Sequence, residues 1–451
     1  MSELISQTVI DHSLGFASSE SVERDKMKIQ RFLRWMEENG ATFPSMTIKV
    51  GQTSRQVHAT RSLLPDELVL HIPVNLMITT EVARQSESGK LLEGLGDNVE
   101  PADYIAAYLL QAKREGGFWA PYVDMLPTDF SHNPLLFSGA ELAELTGSYF
   151  LRFIRKQMAS DASIFDRLPP ALKENGFTRE EFTWARLLVI SRSYGVVVRG
   201  KRTTAMVPLA DMFEYHSATY VRWIADCETG FIVAARGPVE AGSPIYQYYG
   251  ERCNAKLLAI YGVCLEENAY NAAEVYLQTL SPDHPCFQHT KKLGKQFEEK
   301  WAFRVRSRYD VDATRALFSY LRLACLDMMS ESGRPPVDGD SANRVAPISR
   351  GNEIAALTML AAACEQRLQQ FPTTLDDDQR LLKAGGLSRN VRNAVKVRHG
   401  EKIVLNYFLD LTRTALPVLR DPLRDVNDYA AEGKPYADYF ADVGRGLVGA
   451  G

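Results

Sequence analysis

A chain of 451 residues, 45% hydrophobic and 24% charged, has the balance of an ordinary globular protein, long enough for two or three domains of roughly 150 residues. Its formal net charge of −4 gives no electrostatic reason to expect DNA, RNA or an anionic membrane as the main partner. The six cysteines (227, 253, 264, 286, 325 and 364) contain no CxxC pair, which argues against a zinc cluster and a disulfide framework.

The opening stretch MSELISQTVIDHSLG has an acidic residue at position 3 and no long apolar core, unlike a secretory signal. No later apolar run approaches the about 18 residues of a membrane span. The expectation is an intracellular, reduced protein, cytoplasmic or nuclear. Residues 24–39 carry Ile29, Phe32, Leu33 and Met36 at helical spacing, with Gly40 as a stop. The period then changes to two in MTIKV, QVHATRSL and ELVLHIP, with LLPDE as a turn. From about 78 to 195 the pattern is helical again, with PADYIAAYLLQAKRE opening on a proline suited to a first turn. Residues 203–250 read as strands. Beyond about 285 the chain reads almost only as helices, and Ile403, Tyr407, Leu411 and Ala415 form one predicted face. Pro372-Thr373-Thr374 with Asp377 resembles a capped helix start, and the acidic run 376–378 suits a helix N-terminus.

Several motifs fail on context. GRGLVG at 444–449 matches GxGxxG but has no strand–turn–helix unit to follow it. There is no GxSxG elbow, no HExxH, and no histidine pair at metal-ligand spacing. The basic cluster Arg199, Lys201 and Arg202 reads as a solvated loop, since no aromatic residue interleaves it for base stacking.

Four ordered segments carry a family likeness: SRQVHATRSLLPDELVLHIPVNLMIT (54–79), FWAPYVDMLP (118–127), FTWARLLVISRSYG (182–195), and VPLADM onward to YQYYGERCNAKLLAIYGVCLEEN (207–268). Together they resemble the SET-domain protein methyltransferases, in the group of the Rubisco large-subunit lysine methyltransferases and the actin-histidine methyltransferase. LQQFPTTLDDDQRLL and the helices after it look like that group's substrate-binding domain. The resemblance implies an α+β fold. A β-rich SET domain spans 25–275 after an N-terminal extension (1–24), with a helical insertion at about 80–195. An all-helical substrate-binding domain (285–425) and a C-terminal tail (426–451) follow.

It also implies transfer of a methyl group from S-adenosyl-L-methionine to a protein side-chain nitrogen, lysine before histidine, without a metal. The protein substrate would be held by the SET core and the helical domain. Attack on a methyl carbon needs the amine, carbon and sulfonium in line, so most of the work is positioning. By resemblance, Tyr249 lies at the methyl-transfer channel and is the implied catalytic residue; a sheet-end tyrosine in packing is the alternative. Tyr261 matches a second aromatic wall or, equally, helix-face core. Arg192 matches the partner of the cofactor's carboxylate, or forms an internal salt bridge to Asp211. Arg55 lies in the hairpin whose backbone would meet the cofactor.

Two positions depart from the family pattern. After PLADM the family carries an asparagine and a histidine that hold the cofactor's amino group and adenine. Here Phe213-Glu214-Tyr215-His216 stands instead. Ungapped, Glu214 and Tyr215 replace the pair; with one inserted residue, His216 is kept and Tyr215 replaces the asparagine. In the hairpin, Gln56 stands where the family places glycine for close backbone approach. Two functions remain open: a working methyltransferase, or a SET fold that has stopped methylating and serves as a binding scaffold or repurposed small-molecule enzyme.

Overall fold

In the computed structural model the described residues are 19–50, 55–216, 220–224, 229–248, 250–309, 312–326 and 345–448. They fall into two compact units, residues 1–131 with 157–250, and residues 132–156 with 251–451.

In the first unit the helix Ser19–Glu38 buries Ile29, Phe32, Trp35 and Met36 on one stripe. Gly40, at φ +89°, turns the chain out of it. Period-two segments then form small sheets. Met46–Val50 pairs antiparallel with Arg55–Ala59, setting Lys49 opposite Gln56. Leu68–Pro73, Gly230–Ala235 and Val221–Ile224 make a second sheet, and Ile78–Thr79, Lys201–Met206 and Ser193–Val198 a third. The basic cluster lies at the tip of this last hairpin. Arg199 and Gly200 form its two-residue turn at φ +49° and +74°.

The helical insertion begins at Thr80–Gln85 and ends at Arg179–Arg192. Thr178 caps that last helix by accepting from the Glu181 amide. Its buried Arg186 reaches Asp103 on the helix Pro101–Glu115 at 2.8 Å and Asp161 at 2.6 Å. A guanidinium divided between two carboxylates locks the helix in register, and so fixes where its last residue, Arg192, emerges.

The second unit is mainly helical, as expected, but contains a three-stranded antiparallel sheet, Ala272–Gln278, Lys300–Arg306 and Lys295–Phe297, with Lys300–Arg306 central. Two of its strands lie in the stretch read as almost only helices. The helices Asp312–Ala324, Arg350–Leu368 and Arg389–Arg420 bury Phe318, Leu357, Leu360, Leu405 and Phe408 together. The stretch expected as a tail carries the helix Ala437–Val448, whose Tyr439, Phe440 and Val443 enter this core. On Arg389–Arg420 the predicted face drifts: Leu411 and Ala415 are buried, but Ile403 is 43% exposed. Four-residue steps overrun a 3.6-residue turn, so the row winds off the stripe.

Within this unit Glu401 is sealed. It accepts from the Ser148 hydroxyl and from the Tyr149 amide at 3.3 Å, with Arg367 Nη2 at 4.0 Å. Burial pushes its carboxyl up to about 8 against those donors, and Glu274 adds repulsion. The unfolded chain releases this proton near the ordinary carboxyl value, so the fold holds an extra proton between there and about pH 8. Its stabilising contribution is complete in acid and declines as pH rises through that window. Glu401→Gln removes the decline. In urea unfolding, wild type and variant are expected to have similar stability at about pH 5, and the variant the higher stability at about pH 9, by a few kcal/mol. A gap independent of pH would mean that the carboxylate stays ionised in the fold.

Candidate active site

Val207, Leu209 and Ala210 are completely buried, and the chain leaves them through a residue in an unusual conformation: Leu209 has φ +72°. The 3₁₀ turn Ala210–Met212 follows and carries the Asp211 carboxylate into the interior. Tyr122 donates its hydroxyl to Asp211 Oδ2 at 2.8 Å, and Asp211 Oδ1 has no hydrogen-bond partner among the described residues. Burial raises the Asp211 carboxyl above its ordinary range, with Arg192 drawing it back. Burial, and then Asp211, push the Tyr122 phenol well up.

Arg192 donates from Nη1 to the Asp211 carbonyl at 2.7 Å and stands 3.5 Å from Oδ2. The internal pair with Asp211 is therefore present. It uses one end of the fork. Nε and Nη2 make no hydrogen bond among the described residues, and the side chain keeps 25% exposure. A guanidinium anchored by one nitrogen, with an edge left over, is suited to a second anion.

Three residues on from Asp211, Glu214–Tyr215 is a short strand paired parallel with Tyr246–Gln247, and the His216 amide extends it by donating to the Gln247 carbonyl at 3.1 Å. The His216 ring stacks on Tyr246 with centroids 5.1 Å apart and meets the edge of Tyr220 at 5.5 Å. Tyr215 stacks on Tyr248 at 6.4 Å. Tyr194 ties the two segments, donating towards both the Ala210 carbonyl at 2.7 Å and Gln247 Oε1 at 2.9 Å.

Gln56 reaches this corner from the other side. Its Nε2 donates to Glu214 Oε2 at 2.9 Å. Its Oε1 stands 3.4 Å from His58 Nε2, and His58 Nδ1 is held 2.9 Å from the Gly242 carbonyl. The two departures from the family pattern are thus bonded to each other. Burial, and then the Glu214 charge, raise the Tyr246 phenol.

The expected site residues divide as follows. Glu214, Tyr215 and His216 share one corner, with Arg192 bonded to the turn just before it. Arg55 is the first residue of its strand and turns the other way, to Asp25 at 2.8 Å and the Met125 carbonyl at 2.9 Å. Successive strand residues point to opposite faces, so Gln56, not Arg55, faces Glu214. Tyr249 lies outside the described residues. Tyr261 ends the helix Asn254–Tyr261 in the second unit, half-buried. Tyr194, Tyr246 and Gln247 went unmarked in the sequence. The signal for the last two was the run YQYY, too polar for a buried strand that did nothing else.

Residues 281–405 match the family described as Rubisco LSMT substrate-binding. The fold matches the crystal structure of the SET domain of LSMT bound to lysine and AdoHcy with TM-score 0.70 and 21% identity, over 93% of this chain and 99% of the other. It matches Rubisco LSMT bound to AdoMet with TM-score 0.69 and 22% identity, over 92% and 96%. The fold is that of these SET-domain structures. In sequence this SET protein is 25% identical over 400 residues to the actin-histidine N-methyltransferase of Homo sapiens, and 26% over 404 residues to that of Mus musculus. Each alignment covers 83% of this chain and 66% of the relative, just under two-thirds of those longer proteins.

Proposed function

We propose that this SET protein is an S-adenosylmethionine-dependent protein N-methyltransferase whose target is lysine. The observation that carries the reading is the half-used Arg192 fork, which ends its helix bonded to the turn that leads to the Glu214 carboxylate. The amino-acid end of the cofactor is a zwitterion. A guanidinium edge suits its carboxylate and an anchored carboxylate suits its ammonium. Glu214 thus replaces an amide without losing the acceptor the ammonium needs. The bound cofactor supplies an activated methyl group on a sulfonium. This chain's part is to hold that group in line with a target nitrogen and keep water away. Lysine is the proposed target because the buried Val207, Leu209, Ala210 and Phe213 favour a neutral amine over an ammonium.

Gln56 favours a second reading, since its side chain occupies space the family leaves to a glycine. Calorimetry with S-adenosylhomocysteine separates the two. As a restraint on Glu214, Gln56 is expected to lose affinity several-fold on Gln56→Gly. Glu214→Gln is expected to lose more, and a double-variant cycle to give a coupling of about 0.5–3 kcal/mol. Tighter binding by Gln56→Gly would make the side chain an obstruction. No binding by any form, in folded protein, would favour the non-methylating fold. Mass spectrometry of lysine- and histidine-containing peptide arrays after incubation with cofactor then tests the target, and methylation confined to histidine would overturn lysine.

A further inference from the structure

The outer face of the three-stranded sheet in the second unit has a small floor among cations. Ala302, at the middle of the central strand, is only partly covered. Lys300 and Arg304 lie two residues to either side on the same strand, and so on the same face. Lys295 is the direct partner of Ala302 on one neighbouring strand and Tyr276 on the other. Lys295 and Lys300 make no ion pair among the described residues, while Arg304 shares the buried Glu274 with Arg152, at 2.8 and 2.6 Å. One carboxylate between two half-exposed guanidiniums leaves positive charge over. The Arg304 contacts draw the Glu274 carboxyl below its ordinary range against the cost of burial. Glu298 and Glu299 form the connection between the two strands.

We propose that this face docks an acidic segment of the protein substrate, one carboxylate side chain lying over Ala302 between Lys295, Lys300 and Arg304. The assignment of a substrate to the site rests on the methyltransferase reading; the binding chemistry does not. A protein carrying net charge −4 repels acidic partners on average, so a cationic face decides where one can land. A single-stranded nucleic acid is the weaker fit. The Phe297 ring is capped by the Arg152 guanidinium at 3.8 Å and the Tyr276 ring faces the Arg367 guanidinium at 4.9 Å, so neither offers an open platform for a base.

The test is fluorescence anisotropy with a labelled hexaglutamate peptide, at low and high salt, against hexaglutamine and an oligothymidine. Lys295→Glu/Lys300→Glu reverses the charge of the two lysines, and Ala302→Tyr fills the floor without changing charge. Both variants are expected to weaken hexaglutamate binding about tenfold while keeping the wild-type melting temperature and affinity for S-adenosylhomocysteine. Wild-type binding is expected to weaken at high salt and to be absent with hexaglutamine. Unchanged binding in both variants, or equal binding of hexaglutamine, would overturn the proposal. Oligothymidine bound more tightly than hexaglutamate, and lost in the variants, would replace it with a nucleic-acid surface. If wild type binds hexaglutamate but not S-adenosylhomocysteine, the methyltransferase reading fails while the acidic-segment site stands.

Discussion

Arg192→Ala is expected to lower affinity for S-adenosylhomocysteine about 10- to 100-fold, the loss of a charge-assisted hydrogen bond of roughly 1.5–3 kcal/mol. The same change also strips Asp211 of its cation. That costs about 2–3 kcal/mol of folding stability, less than a sealed pair because Arg192 keeps 25% exposure. The two effects separate in the double variant Arg192→Ala/Asp211→Asn. The asparagine still accepts the Tyr122 hydroxyl but leaves no buried charge, so stability returns towards wild type while cofactor affinity stays low. If affinity returned together with stability, Arg192 would act only through the fold, and the cofactor role would be lost. The pH dependence checks the cause. The folded Asp211 carboxyl is already raised, and rises further without Arg192, so the single variant's deficit is expected to shrink as pH falls and widen as it rises.

Elements that bury a regular stripe were legible in the sequence, and so were local devices. The helix ending at Gly40, the strands MTIKV and ELVLHIP, and the Thr374–Asp377 capping box all formed where spacing and residue type placed them. Each depends on residues within a few positions of one another. The sheet at 295–306 was also written there, since the buried Trp301, Phe303 and Val305 alternate with Lys300, Ala302, Arg304 and Arg306. It was missed because the helices around it set the expectation.

The site was legible only in pieces. Gln56 and Glu214 each stood out against the family pattern, and taken singly each looked like damage. Their bond joins residues 158 apart, and no local rule encodes such a pair. What decides it is the pleat: alternation turns Arg55 to Asp25 and Gln56 to Glu214, and the parallel pairing with Tyr246–Gln247 brings the glutamate there. The internal partner of Arg192 was easier to foresee, because a cation in an apolar helix needs an anion. That one nitrogen would suffice for the pairing, leaving an edge over, could be learned only from geometry.

Asp378 shows how far a local reading can fall short. As the last of three aspartates at a helix start it reads as a dipole charge, and Asp377 does serve as the partner in the capping box. Asp378 is instead fully buried. Its Oδ1 accepts from Arg398 Nε at 2.9 Å and its Oδ2 from Lys402 Nζ at 2.7 Å, with both cations 1–2% exposed. Asp378→Ala strands the Lys402 ammonium in the interior of the second unit and leaves Arg398 with Glu144 alone, and is expected to cost about 3–5 kcal/mol, enough to leave much of the protein unfolded at physiological temperature. Lys402 can also donate to Thr373 Oγ1 and the Thr374 carbonyl, so its hydrogen bonds remain but its neutralising charge does not, whereas Arg398 keeps both the carbonyl and the carboxylate of Glu144. Burial already lowers the Lys402 ammonium, and Asp378 is what holds it up. Without Asp378 it falls further, and the unfolded chain then binds a proton the fold cannot. The variant should therefore gain stability relative to wild type as pH rises towards the ordinary lysine range. Asp378→Ala/Lys402→Met removes the stranded ammonium and is expected to recover part of the loss in urea unfolding. A double variant no more stable than Asp378→Ala would show that Lys402 had already shed its proton, and would leave Arg398 as the charge the aspartate is there to balance.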